Sequence, residues 1–397
     1  MRVLMLSHMY PSAVNRTGGI FVHEQARALV DLGHDVRVVS PKGWAPPLLG
    51  RWRAYRDVPG VDTLEGVPVL YPRKLTLPGA RLGHRNGDAM LWSIARPLRR
   101  IHERWPFDVV HAHMLVPDGW AAAQVGESLR VPVVATAHRA DVLDVPARGP
   151  RSRAQVADAV ERIDQVCAVS AAIGDAAAAL AAPRRPVAVV PNGADTRVFA
   201  PRGAAEARAR LGLPADGPIV SYVGKLVPRK GVDTLVEAMG VLARRPEGAP
   251  LLVAAGIGEM RPDLERRAAE LGVAGRVRFC GTVAHDDVGW WMAAGDLFVL
   301  PSLSEGLPTV VCEAMNCGRA VVATAVDGTP EIVRDGRTGL LVPPGDAPAL
   351  ADALARVLHE PGLARAMGAE ALRIGRAEYT WEANARTMTG IYEALTA

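Results

Sequence analysis

Two glutamates eight positions apart, Glu305 and Glu313, lie in the segment Pro301-Ser302-Leu303-Ser304-Glu305-Gly306-Leu307-Pro308-Thr309-Val310-Val311-Cys312-Glu313. Carboxylates accept hydrogen bonds from hydroxyl groups, so a pair at fixed separation could hold a hydroxylated ligand at two points. The apolar run 296–300 just before them predicts a buried strand, and Pro308 suits the first position of a helix, where its missing N–H costs nothing. Glu305 then belongs to a loop at the carboxyl end of a strand, and Glu313 lies about a turn and a half into the next helix. Ligands of open α/β sheets bind at such strand ends, and helix N-termini attract phosphate. Isolated charged residues are usually solvated, so the case for a site depends on what accompanies the two glutamates.

Three further groups accompany them. The first is Val223-Gly224-Lys225-Leu226-Val227-Pro228-Arg229-Lys230-Gly231, which runs from a predicted strand towards a helix. Cations held there would stabilise the negative charge that develops on a departing phosphate. Arg229 reads as a solvated neighbour of that pair. The second is Gly18-Gly19, leading into Ile20-Phe21-Val22-His23-Glu24-Gln25. Glycine lets backbone approach a phosphate without a Cβ in the way, although two glycines also suit a plain turn. The third is His138, in Val133-Val134-Ala135-Thr136-Ala137-His138-Arg139-Ala140-Asp141, directly after a predicted strand. His111 and His113 end the preceding strand and read as packing or locally hydrogen-bonded residues.

Taken in order, these segments resemble the family 4 glycosyltransferases, retaining enzymes of the GT-B fold with an E-x7-E motif. The likeness extends over essentially the whole chain, is strong over 190–345 and is looser over 45–105. It implies that Glu305 binds sugar hydroxyls and Glu313 the ribose of a nucleotide sugar. Lys225 and Lys230 match the family's basic pair beside the diphosphate, with lysine where arginine is more frequent. Lysine supplies charge there without the planar fork that grips two oxygens. Gly306, Leu307, Pro308 and the amides opening the helix would complete the donor site. Gly18 and Gly19 would face the donor diphosphate, and His138 would touch the donor sugar or the acceptor. The family pattern at His138 is His-Gly-x-Asp. Here Arg139 replaces the glycine and would add positive charge beside the acceptor. No metal is implied, and no cofactor beyond the nucleotide sugar as co-substrate. Retention in this family is thought to let the departing phosphate take the acceptor's proton on the same face, so that neither glutamate is the nucleophile that a retaining glycosidase requires.

These residues must be positioned by a scaffold, and the chain is long enough to build one. At 397 residues and 49% hydrophobic composition it exceeds one ordinary domain and suffices for two with real cores. Apolar runs at 3–7, 35–40, 67–71, 108–111, 131–136, 165–169 and 187–190 predict strands. Helical stretches alternate with them at 21–32, 90–104, 119–129 and 154–163. A second alternation follows the Pro191-Asn192-Gly193 turn and the looser stretch after it, with strands at 219–223, 251–255, 277–280, 296–300, 320–323 and 339–342. The predicted class is α/β, with two doubly wound Rossmann-like domains. The expected divisions are 1–195 for an acceptor-side domain, 196–378 for a nucleotide-sugar domain and 379–397 for a C-terminal helix. The resemblance implies that the domains face across a cleft and that the last helix crosses back to the first. Trp381 would anchor that crossing or serve as an ordinary core residue.

Other nucleotide folds fit less well. No G-x-G-x-x-G follows the first strand, and Gly256-Ile257-Gly258-Glu259-Met260-Arg261 lacks the third glycine, which disfavours a Rossmann dehydrogenase. Gly224-Lys225 has no P-loop context, and Asp286-Asp287 and Asp296 do not form a D-x-D metal motif. Cys167, Cys280, Cys312 and Cys317 lack zinc spacing and predict free thiols in a reducing compartment. The opening segment is too short for a signal peptide, and no apolar run approaches 18 residues, so a cytoplasmic protein is expected. The net charge of +4 is modest and predicts no nucleic-acid partner. The segment from Arg51 to Trp105 holds 11 basic and 5 acidic residues, with Arg96, Arg99, Arg100 and Arg104 near helical spacing, Trp92 among them, and Pro97 as an expected kink. It reads either as a solvated helix face or as a peripheral contact with the inner face of an anionic membrane.

The expected activity is hexosyl transfer from a nucleotide sugar, a UDP-sugar first, to a carbohydrate, lipid-linked or small-molecule hydroxyl. The setting would be surface polysaccharide, glycolipid or natural-product glycoside biosynthesis. A GT-B phosphorylase, a nucleotide-sugar epimerase, a glycoside hydrolase and a non-catalytic nucleotide-sugar binder are the rivals.

Overall fold

The computed structural model describes residues 1–44, 55, 57–75 and 85–397. The chain forms two compact units, one of Met1–Pro191 with Trp381–Ala397 and one of Asn192–Thr380.

In the first unit the strands are β1 (Arg2–Leu6), β2 (Asp35–Val39), β3 (Lys42–Trp44), β4 (Val61–Leu64), β5 (Val67–Leu70), β6 (Arg73–Leu75), β7 (Val109–His113), β8 (Val133–Ala137), β9 (Gln165–Ala168) and β10 (Ala188–Val189). Eight of them form one sheet in the order β10-β9-β8-β7-β1-β2-β5-β4, and β3 pairs with β6 apart from it. The neighbours pair in parallel except for β4, which runs antiparallel to β5. β3, β4 and β6 were not among the expected strands. A two-residue turn, Glu65-Gly66, explains β4: both residues have positive φ, 45° and 84°, the requirement of a type I′ hairpin. Glycine meets that requirement without strain, but glutamate there gives no turn signal in a sequence.

Strand order reverses at β1, with β7 on one side and β2 on the other. The loops leaving β1 and β7 therefore part at the sheet's carboxyl edge, where an open α/β sheet leaves a crevice. The loop after β1 holds Gly18 and Gly19, and β7 ends in His113.

The core of this unit includes Val3, Met5, Val22, Leu29, Val36, Val38, Val109 and Val134, together with Trp381, Ala385, Met388 and Tyr392 from the last helix, Trp381–Thr396. Burying each large apolar side chain contributes about 1.5–3 kcal/mol, so this helix is integral to the first unit. Polar contacts set its register. The Trp381 indole N–H donates to Glu24 Oε2 at 2.6 Å, Gln25 Nε2 donates to Asn384 Oδ1 at 2.6 Å, and Asn384 Nδ2 donates to the Pro191 carbonyl at 2.7 Å. Trp381 is thus both an anchor and a core residue.

The second unit contains β11 (Ile219–Val223), β12 (Leu251–Ala255), β13 (Val277–Gly281), β14 (Leu297–Leu300), β15 (Ala320–Thr324) and β16 (Gly339–Val342), all parallel, in the order β13-β12-β11-β14-β15-β16. Counted from its own first strand this is 3-2-1-4-5-6, the dinucleotide-fold order, with its switch point between β11 and β14. The loop after β11 carries Lys225 to Lys230, and the loop after β14 carries Pro301 to Glu305.

Candidate functional site

The switch point of the second unit brings three loops together by backbone contact, and its glycines permit this. A Cβ on Gly231, whose φ is 60°, would lie 2.1 Å from the Pro301 carbonyl oxygen. One on Gly256, at φ 144°, would lie 1.8 Å from the Gly224 carbonyl oxygen. The glycines of Gly256-Ile257-Gly258 therefore serve loop packing: Leu226 N donates to the Ile257 carbonyl at 2.9 Å and Met260 N to that of Leu226 at 3.1 Å.

Glu305 is only 5% exposed and is held from several sides. Its Oε1 accepts from Lys230 Nζ at 2.5 Å and from Ser302 Oγ at 2.6 Å. Among the described residues its Oε2 has one long contact, 3.5 Å to Arg229 Nη1. The backbone is fixed as well. Glu305 N and Ser304 Oγ both donate to Asp327 Oδ2 at 2.7 Å, Arg229 Nη1 donates to the Ser304 carbonyl at 2.7 Å, and Thr324 Oγ1 donates to that of Ser302. One carboxylate oxygen is thus saturated while the other keeps capacity to accept from a ligand hydroxyl. Arg229 is a member of this cluster, which corrects its reading as a solvated neighbour. Lys225 is exposed, and its ammonium makes no hydrogen bond or ion pair to a described residue. Tyr222, buried beneath, donates its hydroxyl to the Lys225 carbonyl at 2.9 Å. Burial first, and then the charge of Glu305, push that phenol's pKa up, so it remains a donor.

Pro308 caps the next helix and does not open it: the helix spans Thr309–Asn316, with Leu307 buried and Glu313 half-buried on its second turn. Asn192 ties the start of the unit to this helix, its Nδ2 donating to Thr309 Oγ1 at 3.3 Å.

In the first unit, Gly19 caps the helix Ile20–Asp31 at φ 74°, and a Cβ there would lie 2.3 Å from the Met9 carbonyl oxygen. Gly18 N donates to Asn15 Oδ1 at 2.9 Å. Phe21, the second residue of that helix, packs its ring 4.9 Å from the ring of His138.

His138 follows β8, and its backbone N–H donates to Asp141 Oδ1 at 3.0 Å. Asp141 Oδ2 accepts from Leu115 N at 2.7 Å. Burial raises the Asp141 pKa to about 6, against the lowering effect of these amides. His113 Nδ1 lies 3.3 Å from His138 Nε2, so the two imidazoles share a hydrogen bond. His113 stacks on His111 at 4.6 Å between centroids, and His111 is hydrogen-bonded to the Tyr392 hydroxyl and to Thr136 Oγ1. Burial lowers all three pKa values, to about 4 for His138, about 3 for His111 and well below the usual range for His113. The cluster is neutral at pH 7. His113 thus contacts a candidate site residue, a role its sequence context did not reveal.

Arg139 does not present a lone charge. Its Nη1 pairs with Asp144 Oδ2 at 2.7 Å, which offsets the cation expected beside the acceptor.

The family described as Glycosyltransferase Family 4 matches residues 18–198, and that described as Glycosyl transferases group 1 matches residues 204–373. The chain is 31% identical over 402 residues to the putative teichuronic acid biosynthesis glycosyltransferase TuaC of Bacillus subtilis, covering 100% of this chain and 99% of TuaC. It belongs to the family 4 glycosyltransferases. Among solved structures it is similar to sucrose-phosphate synthase from Thermosynechococcus elongatus, with a TM-score of 0.79 and 27% identity over 100% of this chain and 99% of that one. The Anabaena protein HepE, solved in complex with UDP, aligns with a TM-score of 0.77 and 22% identity over 100% of both chains. The fold of this family 4 glycosyltransferase is therefore GT-B, with two α/β units built on parallel sheets.

Two of its cluster residues had no assigned role from the sequence. Ser302 stands three positions before Glu305, a spacing that brings a hydroxyl back to a carboxylate only when the loop turns. Asp327 is supplied by the loop after β15, with φ 42°, and only the fold brings it to Ser304 and Glu305.

Proposed function

We propose that this glycosyltransferase moves a hexosyl group, with retention, from a nucleoside-diphosphate sugar to an acceptor hydroxyl, and that a uridine nucleotide is the donor base. The observation that carries this reading is the half-occupied Glu305 carboxylate at a nucleotide-fold switch point, with exposed Lys225 on the neighbouring loop. Oε2 of Glu305 accepts sugar hydroxyls, Glu313 accepts the ribose hydroxyls, and Lys225 with Lys230 and Arg229 meets the charge of the departing diphosphate without a resident metal. Gly306, Leu307 and Pro308 line the donor beside them. In the first unit, Gly18 and Gly19 form the phosphate-facing loop, and His138, with Arg139 beside it, serves the acceptor. HepE, which binds UDP, and TuaC, named for teichuronic acid biosynthesis, favour a uridine donor and a surface-polymer or glycolipid acceptor over a natural-product aglycone.

The helix Asn86–Arg104 runs through Pro97 and presents Trp92, 78% exposed, with Arg96, Arg99, Arg100 and Arg104 also exposed. Among the described residues no helix is long and apolar enough to cross a membrane. This face would give peripheral contact at the inner membrane surface; residues 51–54, 56 and 76–84 of the basic window lie outside the described residues. Sedimentation with anionic vesicles tests it, and unchanged binding by Trp92→Ala would rule this face out.

The donor reading is tested by thermal shifts with UDP, GDP, ADP, TDP and CDP, on the wild type and on Glu313→Ala. A nucleotide at a hundred times its dissociation constant stabilises by about 2.7 kcal/mol. Stabilisation by UDP that the variant loses supports the reading, and indifference to all five overturns it. Nucleotide release that requires an acceptor, and that persists in EDTA, then separates transfer from phosphorylase, epimerase and pure binding activities.

A further inference from the structure

His113 is 2% exposed, and its ring has one hydrogen-bond partner among the described residues. Its Nδ1 meets His138 Nε2, while its Nε2 is buried with no hydrogen-bond partner among the described residues. The two rings lie 21° from coplanar with centroids 5.5 Å apart, the geometry of an edge-to-edge imidazole hydrogen bond. A neutral imidazole carries one proton, so the tautomers of the two rings are coupled. If His113 were protonated at Nε2, that buried N–H would be orphaned, and orphaned buried N–H groups are rarer than under-used acceptors. The proton therefore sits on His113 Nδ1 and is donated to the lone pair of His138 Nε2. That leaves the His138 proton on Nδ1, which makes no hydrogen bond to a described residue and is not enclosed.

We infer that His113 is a positioning residue that locks His138 as its Nδ1–H tautomer, so that the nitrogen open to a substrate is a hydrogen-bond donor. The identity of one ring's protonated nitrogen is set by what the other nitrogen bonds, and here that partner is a second imidazole with no freedom to reorient. His113 is stacked against His111, which is fixed by Tyr392 and Thr136, and Phe21 packs on the far ring. Burial keeps both rings uncharged at neutral pH, so a single proton placement persists. The catalytic consequence rests on the proposed role of His138: a nitrogen already protonated donates to a sugar or acceptor oxygen and cannot take the acceptor's proton. That proton must leave by another group, in keeping with uptake by the departing phosphate.

The test needs no substrate. Long-range proton–nitrogen correlation spectra of the full-length protein labelled with nitrogen-15 histidine, assigned with His138→Gln, report the tautomer of each imidazole at pH 7. The expected wild-type result is protonated Nδ1 at His138. His113→Leu should release His138 to the Nε2–H form that an unrestrained imidazole favours, whereas His113→Asn, whose amide can donate from the same position, should retain Nδ1–H. An Nε2–H wild-type His138, or a His138 tautomer unchanged in His113→Leu, overturns the inference. If His113→Leu does not fold, the wild-type spectrum and His113→Asn decide the question. Loss of the nucleotide-binding reading would leave this result standing, so the two fail separately.

Discussion

The Lys230 ammonium lies 2.5 Å from Oε1 of Glu305, although 75 residues separate them in the chain. The side chains are 15% and 7% exposed, so the pair is nearly out of water, and Ser302 completes the set of partners on the same oxygen. The cation has two tasks there. It holds Oε1 of the carboxylate, and in the proposed donor site it would also contribute positive charge where a diphosphate departs.

Removing one member of a desolvated pair leaves the other charge uncompensated, at a cost of about 3 kcal/mol. Lys230→Met and Glu305→Gln should each lower stability by roughly that amount, and the double variant should lose less than the sum. Chemical denaturation of the four proteins in a double-mutant cycle checks this. Additive losses would show that the contact is not energetically coupled.

Turnover should separate the two residues. Glu305→Ala removes the oxygen proposed to hold the sugar and should lower kcat/KM by about a hundredfold or more, equivalent to roughly 2.7 kcal/mol of transition-state stabilisation. Near-wild-type turnover in a folded Glu305→Ala protein would remove this residue from the active site.

The glycines at positive φ are not equivalent. Gly248, at φ 72°, has open space where a Cβ would go, and alanine there should cost only about 1 kcal/mol from backbone strain, with activity retained. In Gly231→Ala the new methyl would meet the Pro301 carbonyl, so the Pro301–Glu305 loop must shift. Stability and turnover should fall together in that variant. Melting temperature and kcat measured side by side distinguish the two cases.

Acidification should destabilise the first unit. His111, His113 and His138 have folded pKa values below the ordinary 6.5, so the unfolded chain binds more protons between about pH 4 and 6.5, and stability rises with pH across that window. Asp141, raised to about 6, works in the opposite sense between its ordinary 3.8 and 6, because the folded state holds the proton. Three histidines lowered against one carboxyl raised leave a net uptake of protons on unfolding at pH 5, so the histidines set the sign of the slope. Melting curves between pH 5 and 7 should therefore shift upward with pH, and His111→Phe should flatten the slope. A flat wild-type profile would contradict the buried neutral cluster.

Trp381→Phe keeps the apolar ring in the core but deletes the indole donor to Glu24. A hydrogen bond to a charged group is worth about 1.5–3 kcal/mol. Equilibrium denaturation should place the variant at least that far below the wild type, with Trp381→Ala lower still.

Much of this molecule was legible in its sequence because the signals are local. Alternating apolar runs and helical stretches define two α/β units, since a strand buried on both faces must be continuously apolar. Glu305, Glu313, Lys225 and Lys230 could be selected because each pair lies in one short segment at a strand end whose residues match the motifs of the resembled family. The paired free-thiol and no-fingerprint arguments also needed only spacing, and the four cysteines are indeed free. Tertiary structure alone decided what these groups touch. Arg229 turned from a solvated charge into a loop clamp because β11 and β14 are neighbours at the switch point, a fact of strand order that no local window contains. Asp327 reached the Glu305 loop from β15, and His113 met His138 because β7 and β8 lie side by side in register, His113 opposite Thr136. Hydrogen bonds have a reach of about 3 Å, so partners separated by tens of residues exist only once the sheet has fixed which strand ends are adjacent.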